Sequence, residues 1–361
     1  MGVSVNDPNA TLRRSSIIIL FLVAVYAVVT ASSSWVLGFY MPGPLDYVLN
    51  MVLYLTPAIL FVGFAVLIKL FRDRPESPFR YLRQCAQDWR LPDRVIFGGP
   101  VLAALGIFTA MFSTMKWAIP QFQKFHWDPE FSSLDAAIFG GDAWRVLQPF
   151  VGFPIITWLL NWNYHLWMGA MFGVTIFAVG MVDKPQLRLQ YLFSYILCWS
   201  ILGTLGAILL SSVGPCFYEA FYANDRFVAL TSYLQSVDRQ YPLPVLEVQK
   251  MLLEAQTSSH DQVGRGISAM PSMHVSIACL FVLFGWSISR AWGIISTIFL
   301  ILIIIGSIHL GYHYAVDSLV SLLATPVIWW AAGKVARSGW VVSGEFRLGA
   351  QPAFADASRS D

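Results

Sequence analysis

Apolar residues in this chain come in long runs separated by short polar stretches. Runs of about 20 residues are what a helix needs to cross the hydrocarbon of a bilayer. They lie near 16–37, 46–70, 95–115, 164–182, 189–210, 273–289, 292–308 and 317–334. The pattern predicts an all-α integral membrane protein with about eight transmembrane helices. The first run, in "TLRRSSIIILFLVAVYAVVTASSS", has the basic, apolar and small-residue zones of a signal peptide. The next apolar run follows almost at once, so we read the first as an uncleaved anchor.

Composition supports this reading. Of 361 residues, 57% are hydrophobic and only 12% charged, against about a quarter charged in soluble domains. A water-facing surface cannot be built from so few charges. The net charge of +2 gives no case for a nucleic-acid partner. The four cysteines, Cys85, Cys198, Cys216 and Cys279, form no CxxC pair and read as small hydrophobes, with neither a disulfide framework nor a zinc site.

With eight spans, the basic residues share one side: Arg13 and Arg14, the seven Lys and Arg residues of 69–94, Lys184 with Arg188, Arg290, and Lys334 with Arg337. The positive-inside rule makes that side cytoplasmic, with both termini. The opposite face receives 116–163, rich in Trp, Phe and Pro, and 211–272, expected to be a partly helical cap. Two polar islands fall on that same outer face. One is "SAMPSMHVS" at 268–276, with His274, and the other is "HLGYHYAVDS" at 309–318, with His313 and Asp317. His313 and Asp317 are four apart, so on a helix they share a face. A carboxylate on one imidazole nitrogen leaves the other with a free lone pair, which activates it. A facing histidine can then protonate a leaving oxygen. The proline of "MPSMH" suits the first turn of a helix, where Ser272 or nearby amides could bind an anion.

Each piece also has an ordinary reading: HxxxD at a helix start is commonly a local ion pair or cap. His309 with His313 makes HxxxH, but no Glu or Cys completes a metal site, which leaves His309 behind the site or on a phosphate. Arg265 is either a solvated loop charge or a phosphate ligand. His126, His165 and His260 lack partners at informative spacing and read as interfacial or structural.

"SAMPSMH", a hydrophobic hairpin and "GYHYAVD" together resemble the last two motifs of the type 2 phosphatidic-acid phosphatase superfamily, over about 265–335. The resemblance implies His313 as nucleophile toward phosphorus, Asp317 as its orienting partner and His274 as general acid, with no metal or organic cofactor. It also implies a division into an N-terminal transmembrane hairpin and basic segment (1–94), a membrane catalytic domain (95–340) and a disordered tail (341–361). Two family features are missing. "KLFRDRP" has the wrong spacing and side for the first motif, and Ser307 stands where an Arg usually precedes the third-motif His. Arg265, Arg226 and Arg145 are candidates to replace these cations, and Ser272, Ser307 and His309 are further substrate-binding candidates. The pattern is closer to the inositol phosphorylceramide synthase branch, which shares PSxH and HYxxD. "SSVGPCFYEAF" (211–221) would take the place of that branch's proline-containing loop. The expected function is lipid phosphotransfer from a phospholipid donor to a lipid or alcohol acceptor, with hydrolysis by water as the alternative. A transporter or scaffold is disfavoured, because the protic residues cluster at one face rather than at mid-membrane.

Overall fold

A computed structural model of the chain describes residues 8–257 and 266–342. Arg265, His260 and the tail beyond 342 lie outside the described residues. The described chain is helical: α1 (Pro8–Leu37), α2 (Pro44–Asp73), α3 (Pro78–Asp88), α4 (Leu91–Trp117), α5 (Asp128–Phe139), α6 (Ala143–Val151), α7 (Pro154–Val179), α8 (Pro185–Leu209), α9 (Val228–Asp238), α10 (Pro244–Thr257), α11 (Met273–Ile288), α12 (Arg290–His309) and α13 (Ala315–Ala336), with single turns between. Proline opens α2, α3, α7 and α8, where its missing N–H costs nothing and its fixed φ suits the first turn.

All eight apolar runs are helices, but they are not eight equal spans. Among the described residues, six helices are long and apolar enough to cross a membrane: α1, α2, α4, α8, α12 and α13. A seventh exists if α6 and α7, bent by 116° to each other, count as one. α11 has 16 residues, about 24 Å at 1.5 Å per residue, which is short of a hydrocarbon core of about 30 Å. The chain is a multi-pass membrane protein.

α11 and α12 form a tight antiparallel hairpin. A Cβ on Gly285 would lie 2.7 Å from Ser296 Oγ and 2.9 Å from Trp292 O, so the close approach needs glycine there. α13 packs on α8 and α11, α12 on α7, and α1 and α2 on α4. Within α8, Cys198–Gly206 is π-helical, and Gly203 and Gly206 on it face Met273 and Pro271.

Arginines fasten one end of this bundle. Arg14 donates to Trp340 O and Val341 O, Arg90 pairs with Asp183, and Arg94 donates to Gly180 O. Arg188 corrects the sequence reading. Placed between two helices by the sequence, it lies instead in the first turn of α8 with no exposed surface. Its guanidinium donates to Val179 O at 2.9 Å, Phe97 O at 2.8 Å, Ser15 Oγ at 2.5 Å and Ser16 Oγ at 3.3 Å. One cation thus joins α1, α4, α7 and α8. Arg188→Met removes the donor while leaving two buried carbonyls behind. It is expected to cost about 2–4 kcal/mol, read as a lower thermal midpoint of the purified protein in detergent.

Candidate functional site

The second island is built by a helix cap. α13 begins at Ala315, with Tyr314 as its extended N-cap residue. Asp317, third in the helix, turns back so that Oδ2 accepts from Tyr314 N and from His313 Nδ1, each at 3.1 Å. His313 therefore precedes the helix. The contact with Asp317 comes from capping geometry and not from a shared helical face. Asp317 has no exposed surface and His313 is 5% exposed. The amides of Tyr312 and His313 both donate to Ser307 O at 3.1 Å, which folds the loop back onto the last turn of α12.

The first island is capped differently from the sequence expectation. Pro271 lies outside α11, and Ser272 is the N-cap, its Oγ accepting from Val275 N at 3.4 Å. Ser272 is fully buried, and its carbonyl accepts from Ser321 Oγ at 2.8 Å. Its hydroxyl is spent on the helix end, where the sequence had suggested an anion. His274, the second residue of α11, is stacked on Tyr164 (centroids 4.3 Å apart) and tilted against Trp167 at 4.2 Å. The rings of His274 and His313 are 5.8 Å apart at 63°. Among the described residues neither ring nitrogen of His274 has a hydrogen-bond partner.

The 211–216 stretch ties both islands together. Ser212 O accepts from Ala269 N at 3.0 Å and Ser212 Oγ from Met270 N at 3.1 Å, while Cys216 N donates to Gly311 O at 2.8 Å. Between them, the amides of Val213 and Gly214 donate to the buried carboxylate of Asp128. Tyr222 and Tyr314 add hydroxyl donors to the same carboxylate, both at 2.9 Å. Asp135, two turns along α5, accepts from Ala315 N at 2.8 Å and Val316 N at 2.9 Å. Burial raises the pKa of Asp128 and of Asp135 above the usual carboxylate range, opposed in each by these donors. Burial, with Asp128 alongside, also raises the Tyr314 hydroxyl.

A family model described as the PAP2 superfamily matches residues 129–331. The chain belongs to the PAP2 superfamily. Members are phosphatases or phosphotransferases, and this protein is an enzyme of that class. No curated protein and no solved structure matches the chain. The matched span contains both islands, the 211–216 stretch, and α5 from its second residue onward.

Sequence reasoning missed Asp128, Asp135 and Asp142 of this PAP2 enzyme. The available signal was their spacing of seven in a chain with only 21 acidic residues, since seven residues are two helical turns. Asp135 and Asp142 line a small cleft, together with Ser132, Trp144, Phe227 and His313. The other candidates fall at varied distances from it. His309 is fully buried, its Nε2 2.9 Å from Thr157 Oγ1. It points toward α7 and is not among the cleft's lining residues. Ser307 Oγ donates to Ile304 O at 2.8 Å within its own helix, so it adds no charge in place of the arginine it replaces. Arg226 and Arg145 converge on Asp142, with nitrogen–oxygen distances of 2.8 and 3.5 Å.

Gly214 adopts φ +91°, and a Cβ there would lie 2.4 Å from Tyr312 O. Gly214→Ala is expected to lower stability by about 1–3 kcal/mol. Thermal unfolding in detergent and activity on a phosphoester should fall together, because the stretch it loosens holds both islands.

Proposed function

We propose that the enzyme transfers a phospho-headgroup between lipids through a phosphohistidine intermediate. The reading rests on the 3.1 Å pairing of His313 Nδ1 with Asp317 Oδ2, beside a second imidazole 5.8 Å away. With Nδ1–H held by the carboxylate, Nε2 of His313 attacks phosphorus, and the bond from phosphorus to the leaving oxygen breaks. His274, once it carries a proton, gives it to that oxygen. An acceptor hydroxyl then attacks phosphorus, the phosphorus–nitrogen bond breaks, and the hydroxyl's proton passes to His274, which restores both histidines.

Two observations favour a phosphodiester donor. The cleft already carries the carboxylates of Asp135 and Asp142. A monoester brings nearly two charges at neutral pH, and a diester brings one. The mouth also suits lipid. Ala143 and Trp144 of α6 line the cleft, while Val146, Phe150 and Phe153 nearby are exposed, Phe150 by 74%. An amphipathic helix of this kind lies in the plane of a membrane interface. The shared PSxH and HYxxD motifs and Pro215 in the bridging stretch support kinship with inositol phosphorylceramide synthases. The arginine-fastened end supports a cytoplasmic placement for the termini, with the cleft on the extracytoplasmic face. Hydrolysis is the second reading, because water can attack the same intermediate.

His313→Ala is expected to abolish turnover, and Asp317→Asn to lose about a hundredfold or more by presenting the imidazole poorly. His274→Ala should lose about a hundredfold on alkyl leaving groups and far less on nitrophenyl esters, whose leaving group needs little protonation. Steady-state rates on matched esters check all three, and an undiminished His313→Ala rate ends this mechanism. Product analysis with a labelled phospholipid and a hydroxyl-bearing lipid should show label on the acceptor. Label found only as free phosphate or phospho-alcohol, at every acceptor concentration, makes the enzyme a phosphatase.

A further inference from the structure

A phosphoester beside His313 adds negative charge to a cleft whose wall already holds two carboxylates. Something must balance it, and several amides at the two helix starts are already bound. At the start of α13, Tyr314 N is bound to Asp317, and Ala315 N and Val316 N are bound to Asp135. At the start of α11, Val275 N is bound to Ser272 Oγ. Neither helix terminus has those amides to offer an anion.

Two guanidiniums bear on this cleft through residues that line it. Arg226 Nε donates to Asp142 Oδ1 at 2.8 Å, Nη1 to Ser132 Oγ at 3.0 Å and Nη2 to Ser132 O at 2.8 Å. Its fork is thereby fixed against α5, with two of its five N–H groups still unassigned. Arg145 is 3.5 Å from Asp142 Oδ2, lies 4.6 Å over the Trp144 ring, and is 55% exposed. Asp142, Ser132, Trp144 and Phe227, the groups these arginines touch or flank, all line the cleft. The Asp142 carboxylate thus sits between two cations, while that of Asp135 is taken up by two amides of α13. Arginine forks match phosphate oxygens as well as they match carboxylate.

We infer that Arg226 and Arg145 are the phosphate-binding pair of this enzyme, and that Asp142 is an internal anion which an incoming phosphoester displaces from them. The inference rests on the functional reading above, since it presumes that phosphate binds beside His313. Asp142 then has two effects. It keeps the arginines ordered when no substrate is present, and it sets an affinity threshold that each phosphoester must exceed. Were Arg226–Asp142 merely a brace between the start of α6 and the start of α9, neutralising Asp142 would leave phosphate binding unchanged or weaken it.

The test uses purified full-length protein in detergent and inorganic phosphate as probe, with affinity read from the phosphate dependence of the thermal midpoint. This readout needs no turnover. Failure of the inference is therefore separable from failure of the phosphohistidine reading, which the His313→Ala rate decides. Asp142→Asn should bind phosphate about fivefold more tightly, and Arg226→Lys and Arg145→Ala should each bind it about tenfold more weakly. The Asp142→Asn gain should vanish in Asp142→Asn/Arg226→Lys. Midpoints without phosphate show whether each variant is folded, and Arg145→Ala covers the case in which Arg226→Lys is not. Unchanged or weaker binding in Asp142→Asn overturns the inference, as does wild-type affinity in Arg145→Ala or no phosphate effect on the wild-type protein.

Discussion

Buried carboxylates holding backbone amides are the interaction on which this site depends. A loop inside a membrane protein has few waters to satisfy its N–H groups, and each amide left unpaired costs several kcal/mol in an apolar setting. Here Asp128, Asp135 and Asp317 take up the amides of Val213, Gly214, Tyr314, Ala315 and Val316. Three carboxylates thereby make irregular backbone tolerable at the end of an apolar bundle. They also hold three distant parts of the sequence in fixed relation. The histidines are placed by this frame and contribute little to it: the His274 ring is held by stacking, and its carbonyl accepts from Trp167 Nε1 at 3.0 Å.

The frame explains why helices of unequal length converge. α11 can be short because the residues leading into it, Ala269 and Met270, are bonded to the buried Ser212 rather than to water. The π-helical part of α8 runs alongside Pro271 and Met273, with glycine where their atoms come nearest. Such π segments are often found beside functional sites. At the opposite end the same physics appears with the sign reversed, where Arg188 gathers carbonyl oxygens as the aspartates gather amides.

The fold was legible in the sequence wherever the signal was local. Every apolar run became a helix, and the contact between His313 and Asp317 could be read from four residues of spacing, although a cap and not a helical face produces it. What stayed hidden was long-range. Asp128 reaches partners 85 to 186 residues away, and nothing around it in "HWDPEF" announces them. Arg188 looked like a loop charge because a sequence shows the residue but not the carbonyls that will surround it. Ser272 and Ser307 were read as candidates for a ligand, yet their hydroxyls serve their own helices, as short polar side chains commonly do.

The sharp bend between α6 and α7 has a kinetic meaning. On the function proposed above, a cleft rimmed by an amphipathic helix is reached along the membrane and not through water. Substrate then arrives by lateral diffusion. The concentration that governs saturation is the mole fraction of the lipid in its leaflet, not its amount per litre. Diluting the membrane with inert lipid would slow such an enzyme, while diluting the whole suspension with buffer would not. Its effective affinity is a property of the bilayer composition around it as much as of its own side chains.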